Sequence, residues 1–166
     1  MQTKDNIILT HEQIQHKIKR IAYQIYETNV NENEIIIAGI AENGYIFAQR
    51  LKNILEDISD IVVTLCKVTM DKSSPQNTVE TSISASAYEN KSLVLADDVL
   101  NSGTALVYGV KHFLDVPLTR FKTAVLVNRN HKKYPIKADF KGISLSTSLH
   151  EHVHVTFGKN DLAILE

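Results

Sequence analysis

Apolar residues recur with two different periods along this chain. Between residues 11 and 28, isoleucines stand three or four positions apart, a spacing that predicts an amphipathic helix, and Thr10 with Gln13 forms a capping box at its start. Other apolar runs are short and continuous, as in strands that are buried on both faces. Such runs predict strands at residues 34–39, 61–68, 93–97 and 121–127, with further helices after Gly44 and after Gly103.

The alternation of strands and helices predicts an α/β fold in one domain spanning residues 1–166, with a central parallel sheet joined by right-handed crossovers. Ligands of such sheets bind beyond the carboxyl ends of the strands. Residues 71–90 are rich in small polar side chains and lack apolar periodicity, so we expect a long loop there. Short apolar runs at residues 143–145, 152–157 and 162–165 predict further strands, with a turn between the last two.

Composition narrows the class of protein. The 166 residues are 43% hydrophobic and carry a formal net charge of −1, so the overall charge attracts neither nucleic acid nor a membrane surface. The single cysteine, Cys66, excludes an intrachain disulfide and fits a reducing compartment. The sequence has no signal-peptide pattern and no apolar run of membrane-spanning length. We therefore expect a cytoplasmic protein without a membrane partner.

The strongest chemical signal follows the predicted strand at residues 93–97. Two adjacent carboxylates, Asp97 and Asp98, precede a loop that carries hydroxyls and a glycine and then opens a helix. Backbone N–H groups at a helix N-terminus bind phosphate, whereas carboxylates repel phosphate and accept hydrogen bonds from hydroxyl groups. The pattern therefore predicts a sugar-phosphate site. The alternative is an ordinary helix N-cap by Asn101 or Ser102, which explains the loop but leaves the acidic pair unexplained.

This segment resembles the 5-phosphoribosyl-1-pyrophosphate (PRPP) signature of type I phosphoribosyltransferases, with Ser102 where threonine is usual. The resemblance implies a central parallel sheet flanked by helices, with a small C-terminal hood and a β-hairpin. It also implies that Asp97 and Asp98 face the ribose hydroxyls and stabilise positive charge on the ribose ring during transfer. The implied 5-phosphate loop consists of Leu100, Asn101, Ser102, Gly103, Thr104 and Ala105.

The turn after the first strand is where the resemblance implies pyrophosphate contacts, made by Ala41, Glu42, Asn43 and Gly44. Relatives usually carry basic residues there, and Glu42 is unfavourable beside an anion unless Mg²⁺ intervenes. The alternative is an ordinary strand-to-helix turn in which Asn43 caps the helix. Lys72 aligns with a basic residue of many relatives and is a further pyrophosphate candidate, the alternative being a solvated lysine at a strand end.

The segment from residue 126 to residue 148 resembles the pyrimidine-operon attenuator/uracil phosphoribosyltransferase family, with Tyr134 in place of leucine and Ser146 in place of proline. The resemblance implies that this stretch forms a hood over the nucleobase. Phe140 would stack on the base, while Arg129 and Lys137 would reach its exocyclic oxygens. The alternatives are core packing for Phe140 and solvation for Lys137.

The resemblance as a whole implies transfer of a phosphoribosyl group from PRPP to a nucleobase with release of pyrophosphate. Uracil is the favoured acceptor, and hypoxanthine or guanine comes next. Mg²⁺ is the expected cofactor, carried by PRPP rather than by a metal site of the protein. The alternative is a nucleotide-sensing, RNA-binding regulator of pyrimidine genes with weak or no turnover. A homodimer or homotetramer is expected in either case.

Overall fold

A computed structural model describes residues 6–71, 73–74 and 78–166 of the chain. Its helices and strands are numbered in chain order. They are β1 (Ile7–Leu9), α1 (His11–Thr28), β2 (Glu34–Ile40), α2 (Ala41–Ile58), β3 (Val62–Met70), β4 (Val79–Thr81), α3 (Ala85–Tyr88), β5 (Ser92–Leu100), α4 (Thr104–Phe113), β6 (Arg120–Arg129), β7 (Phe140–Leu145), β8 (Val153–Thr156) and β9 (Leu162–Leu165).

The described residues form a main sheet with the strand order β4-β3-β2-β5-β6-β7 and a smaller sheet with the order β1-β9-β8. In the main sheet only β4 runs antiparallel to its neighbour, and the other neighbouring strands are parallel. The predicted α/β fold with a central parallel sheet is thereby confirmed. The predicted C-terminal hairpin is also present, as the antiparallel pair β8 and β9.

Two hydrophobic clusters cover the two faces of the main sheet. Along β2, Ile35 and Ile37 belong to the cluster formed with α1 and α2, whereas Ile36 and Ala38 belong to the cluster formed with α3 and α4. All four side chains are fully buried. This explains the continuous apolar run of the strand, because a sheet that is covered on both faces has no polar face.

Helix α1 follows its sequence signals closely. Thr10 accepts a hydrogen bond from the backbone N–H of Gln13, and the Gln13 side chain accepts one from the backbone N–H of Thr10. The predicted capping box and helix bounds are thus confirmed. The spaced isoleucines of this helix are all buried against α2 and the sheet.

The parallel register brings the carboxyl ends of the strands to one edge. Gly39 of β2 lies level with Lys67 of β3 and Ala96 of β5. Leu100 of β5 lies level with Asn128 of β6. The turn into α2, the loop into α4 and the segment after β6 therefore meet at the same edge, as the fold rule for ligand sites requires.

The prediction of a long loop over residues 71–90 is wrong for much of the part that the structure describes. Within the part of this stretch that the structure describes, β4 pairs with β3, and the short helix α3 buries Tyr88 edge-on against Phe113, with ring centroids 4.9 Å apart. These elements are too short to show a period of their own, and tertiary pairing sets their conformation. Strand β1 is likewise an element that the apolar pattern did not predict.

Asp161 connects the smaller sheet to helices α1 and α2. Its buried carboxylate binds the Arg50 guanidinium of α2 and the Gln15 amide of α1, and it also accepts from the backbone N–H of Gly158. Burial alone would raise the pKa of Asp161, but the hydrogen bonds from Arg50 and Gly158 outweigh it and hold that pKa below its ordinary value. Of the helices described, none is both long and apolar enough to cross a membrane.

Candidate active site

The acidic pair lies within the last four residues of β5. This strand runs on to Leu100 rather than ending at residue 97 as predicted. Asp97 is buried, and its Oδ1 accepts the backbone N–H of Asp98 at 2.9 Å. Asp98 is half-buried, and its Oδ1 accepts the backbone N–H of Val99 at 2.9 Å. Both carboxylates lie near the start of α2, since Asn43 Nδ2 is 3.0 Å from Asp98 Oδ2 and a Cβ on Gly44 would be 3.4 Å from Asp97 Oδ1.

Asp97 shares a cavity of about 150 Å³ with the predicted phosphate loop. The loop residues Leu100, Asn101, Ser102, Gly103, Thr104 and Ala105 all line it. The first N–H groups of α4 have no partner within their own helix, which makes this end of the helix a potential anion seat. The structure therefore brings together every residue of the predicted 5-phosphate loop with one of the two acids.

Side chains and backbone shape this loop together. The hydroxyls of Ser102 and Thr104 lie 2.8 Å apart, and Ser102 Oγ accepts the backbone N–H of Thr104. Gly103, with a φ of +87°, is the N-cap of α4, so neither Asn101 nor Ser102 is the N-cap that the alternative interpretation required. A left-handed conformation of this kind favours glycine because it has no Cβ.

The segment after β6 closes over the same loop. The backbone N–H groups of Lys133 and Tyr134 both donate to the carbonyl of Ser102. A Cβ on Gly103 would lie only 2.4 Å from Cγ2 of Ile136. Gly103 is therefore required by space as well as by its backbone angle.

Helix α2 begins directly at Ala41 and not after Gly44 as predicted. Close backbone contact makes this possible, since a Cβ on Gly39 would lie 2.3 Å from the carbonyl oxygen of Gly44. A Cβ on Gly44 would in turn lie 2.9 Å from the carbonyl oxygen of Ala96. The two glycines thus let the start of α2 rest on the end of β5, beside the acidic pair.

Asn43 connects this turn to the acidic pair. Its Nδ2 donates to Asp98 Oδ2 at 3.0 Å and to the carbonyl of Val155 in β8 at 2.8 Å. The N-cap of α2 is Ile40, so the alternative in which Asn43 caps the helix is wrong. An amide donor fixes the direction of the Asp98 carboxylate without cancelling its charge.

The other pyrophosphate candidates differ in their surroundings. Ala41 has a φ of +55°, a conformation that is strained for a residue with a Cβ. Glu42 is exposed and forms an ion pair with Lys67 of β3, a residue that the sequence analysis did not single out. Lys72 lies outside the described residues.

The position of Arg129 contradicts the prediction that this residue reaches the exocyclic oxygens of the base. Its side chain is buried, and its guanidinium donates to Asn101 Oδ1, Thr147 Oγ1 and the carbonyls of Ser148 and Glu151. A guanidinium committed to these four acceptors ties the phosphate loop to residues 147–151 and does not reach for a base. His131 supports the same segment, because its Nε2 contacts the carbonyl of Thr147.

Phe140 packs in the hydrophobic core, which contradicts the prediction that it stacks on the base. It opens β7, is 7% exposed, and packs in the cluster beneath α1 and α2, so its ring offers no face to a base. Lys137 is exposed, and its backbone carbonyl accepts the hydroxyl of Thr123. Solvation of Lys137, the alternative reading, is compatible with this position.

Asn128 is a candidate that the sequence analysis did not single out. It ends a buried apolar run in β6, is 5% exposed, and donates from Nδ2 to Ser144 Oγ at 3.2 Å. Its Oδ1 is buried and has no hydrogen-bond partner among the described residues. A buried acceptor is costly to leave unsatisfied, so we expect a water or a ligand donor at this atom. A polar residue that interrupts an apolar strand end was the available signal.

Comparisons with known proteins show which family model and which relatives the chain resembles. The family model described as phosphoribosyl transferase domain matches residues 5–161. A bifunctional protein PyrR of Macrococcus caseolyticus is 31% identical over 162 residues, which cover 93% of this chain and 93% of the relative. One from Mycobacterium ulcerans is 33% identical over 156 residues, covering 87% and 83% respectively.

Solved structures share the fold. The hypoxanthine phosphoribosyltransferase of Trypanosoma cruzi, in complex with the product IMP, superposes with a TM-score of 0.80 at 16% identity. The match covers 100% of this chain and 97% of that one. A hypoxanthine-guanine phosphoribosyltransferase of Bacillus anthracis gives a TM-score of 0.73 at 19% identity, covering 88% and 85%. At these identities the likeness establishes the common fold.

Proposed function

This chain belongs to the phosphoribosyl transferase domain family, a family of pentosyltransferases, and from that membership we propose that it transfers the phosphoribosyl group of PRPP to uracil. One observation carries the proposal: a single cavity is lined by Asp97 and by all six residues of the 5-phosphate loop. The bifunctional PyrR relatives, which match nearly the whole chain, favour a pyrimidine acceptor.

The 5-phosphate of PRPP would bind at the start of α4. Backbone N–H groups there and the hydroxyls of Ser102 and Thr104 would donate to the phosphate oxygens. Gly103 lets the backbone approach the phosphate closely. This seat anchors one end of the substrate and thereby fixes the position of the reacting ribose carbon.

The acidic pair would act at the ribose. Its carboxylates accept hydrogen bonds from ribose hydroxyls, and they stabilise the positive charge that develops as the bond between C1 and the pyrophosphate oxygen breaks. A ring nitrogen of the base then forms the new bond to C1, its proton leaves to solvent, and pyrophosphate departs with the bonding electron pair. Asn43 would keep Asp98 oriented during this step.

Mg²⁺ would accompany PRPP. It binds oxygen ligands and usually combines one or two protein carboxylates with substrate phosphates. The carboxylate pair at the end of β5 fits that habit, and residues 6–71, 73–74 and 78–166 contain no group of three His, Cys, Asp or Glu side chains that could hold a metal. When bound, the ion supplies charge neutralisation of the leaving pyrophosphate.

The base would meet Asn128 rather than Arg129 or Phe140. Uracil and the 6-oxopurines each present a ring N–H beside a carbonyl oxygen. Asn128 offers the complementary pair, an Oδ1 acceptor without a partner in the described part of the chain and a second Nδ2 hydrogen. Such a paired edge selects lactam bases over adenine, which lacks that N–H.

The test is a base panel in the presence of PRPP and Mg²⁺, with uracil, hypoxanthine, guanine, xanthine and adenine offered separately and pyrophosphate release followed. We expect turnover with uracil, and a loss of about 10²-fold in kcat/KM in Asn128→Leu, which keeps the branching of the side chain but loses both hydrogen-bonding atoms. Asn53→Leu, at an exposed position of α2, is the matched control. Turnover with adenine alone would refute the proposed recognition.

A regulator that binds RNA is the second candidate. Lys132, Lys133 and Lys137 form an exposed basic group after β6, although the net charge of the chain is −1. Salt-sensitive binding of a pyrimidine-gene leader RNA, without turnover of any base, would favour this function. The homodimer or homotetramer implied by the family resemblance stays a prediction.

A further inference from the structure

The turn proposed to receive pyrophosphate carries no cation of its own. Residues 41–44 are Ala, Glu, Asn and Gly, and the Asn43 amide is already engaged by Asp98 and Val155. The Glu42 side chain is 81% exposed and places a negative charge where a polyanion is expected. A like charge so close to pyrophosphate opposes its binding.

Lys67 reaches this turn from the neighbouring strand. Its Cα is paired with that of Gly39, where the turn begins. Its Nζ lies 2.5 Å from Glu42 Oε1 and 5.7 Å from the centre of the Tyr45 ring. Its backbone is fixed, because the N–H donates to Ser82 Oγ and the carbonyl accepts the N–H of Ser82. The side chain, 36% exposed, is therefore the part that can move.

We infer that Lys67 is a cation that binds pyrophosphate in this protein, and that Glu42 competes with pyrophosphate for it. The inference rests on the proposed function and adds a residue and a restraint to the same site. An exposed ion pair is held weakly, since solvent screens it and two long side chains must be ordered. Pyrophosphate brings several negative charges and outcompetes a single carboxylate. Its affinity is then set by the cost of separating Lys67 from Glu42.

The competition predicts effects of opposite sign from the two partners. Glu42→Gln releases Lys67 and removes the repulsion, so pyrophosphate should bind about 5- to 10-fold more tightly. Lys67→Met removes the cation, so binding should weaken by about 10-fold. In the double variant the gain from Glu42→Gln should shrink to about twofold, because only the direct repulsion is then relieved.

The experiment is isothermal titration calorimetry with sodium pyrophosphate and excess Mg²⁺ on the full chain and these variants. Glu56→Gln is the matched control, because it makes the same charge change on α2, where Glu56 pairs with Lys52 at 3.9 Å. The Glu42 side chain is exposed and that of Lys67 is partly exposed, and unchanged melting temperatures will confirm folding.

Unchanged or weaker pyrophosphate binding in Glu42→Gln overturns the inference, and weaker binding would mean that Glu42 acts through Mg²⁺ instead. Unchanged binding in Lys67→Met overturns it equally. The base panel is read separately. Absent turnover with the expected binding pattern would defeat the proposed reaction alone, whereas turnover with a flat binding pattern would defeat this inference alone.

Discussion

Two turns at the same edge of the main sheet have similar backbones but carry different side chains. The loop after β5 and the turn after β2 each follow a buried parallel strand, each lead into a helix, and each contain a residue with positive φ. In the first that residue is Gly103, and the side chains around it are hydroxyls. In the second it is Ala41, followed by a carboxylate and an amide that are bound to other protein groups.

A similar backbone therefore does not by itself decide what an anion site binds. In the proposed function the loop after β5 needs no residue from elsewhere, because its N–H groups and hydroxyls suit a phosphate. In the turn after β2, Glu42 pairs with Lys67 of β3 and Asn43 donates to Asp98, so we propose that Lys67 supplies the positive charge that pyrophosphate needs there. Seating of the 5-phosphate and affinity for pyrophosphate are therefore separable properties of this site.

The largest expected effect comes from Asp98, which lies between the two turns. Asp98→Asn keeps the shape of the side chain but removes the negative charge that stabilises the developing positive charge on the ribose. We therefore expect kcat to fall by about 10³-fold. The measurement is steady-state turnover with uracil, with the melting temperature as a check on folding. Asp57→Asn, at an exposed position of α2, should retain activity. Comparable activity in Asp98→Asn would remove that acid from the mechanism.

Breaking the first turn should affect PRPP more than the base. Gly103→Ala forces a Cβ against Ile136 and into a left-handed conformation, so kcat/KM for PRPP should fall by about 10²-fold and stability by about 1–2 kcal/mol. PRPP titration and urea unfolding check both. Gly158→Ala is the control, because a Cβ there meets nothing within 4 Å. Equal effects at both glycines would contradict the role given to Gly103.

Breaking the second turn at Asn43 should be milder. Asn43→Ala leaves Asp98 without its amide donor, so kcat should fall by about 10-fold while KM for uracil changes little. Asn43→Ser, which keeps a donor, should recover part of the loss, and this partial rescue separates positioning of Asp98 from general damage. The control is Asn53→Ala on the same helix. An unchanged kcat in Asn43→Ala would mean that the contact is incidental.

The smallest expected effect comes from Ala41, the positive-φ residue of the turn after β2. Ala41→Gly should relieve left-handed strain and, after the extra entropy of the unfolded chain, stabilise the protein by about 0.5 kcal/mol. Gly103→Ala moves stability in the opposite direction. Urea unfolding of both variants makes the test, and destabilisation by Ala41→Gly would contradict the expected relief of strain.

Local signals in the sequence predicted what depends on local structure. The capping box and spaced isoleucines predicted α1, and the acidic pair with its glycine loop predicted a sugar-phosphate site where the structure has a cavity at the start of α4. Both are encoded within a few turns of chain. The same locality explains why β4 and α3 were missed, because they have too few residues to show a period.

Contacts between distant residues could not be predicted in the same way. Arg129 was expected at the base, but its acceptors Asn101 and Thr147 lie 28 and 18 residues away, and only the fold brings them to its guanidinium. Asn43 meets Asp98 across 55 residues. For Phe140 the register of β7 decided the outcome, since it directs the ring into the core under α1.

The central claim is phosphoribosyl transfer to uracil at the end of β5. Its most direct test is a single reaction with PRPP, Mg²⁺ and equal concentrations of uracil and hypoxanthine, in which the nucleotide products are separated and quantified for the wild type and Asp98→Asn. The account predicts uridine monophosphate as the main product of the wild type and nearly none from Asp98→Asn. Absence of both nucleotides, while PRPP still raises the melting temperature, would contradict it and indicate a protein that binds PRPP without transferring it.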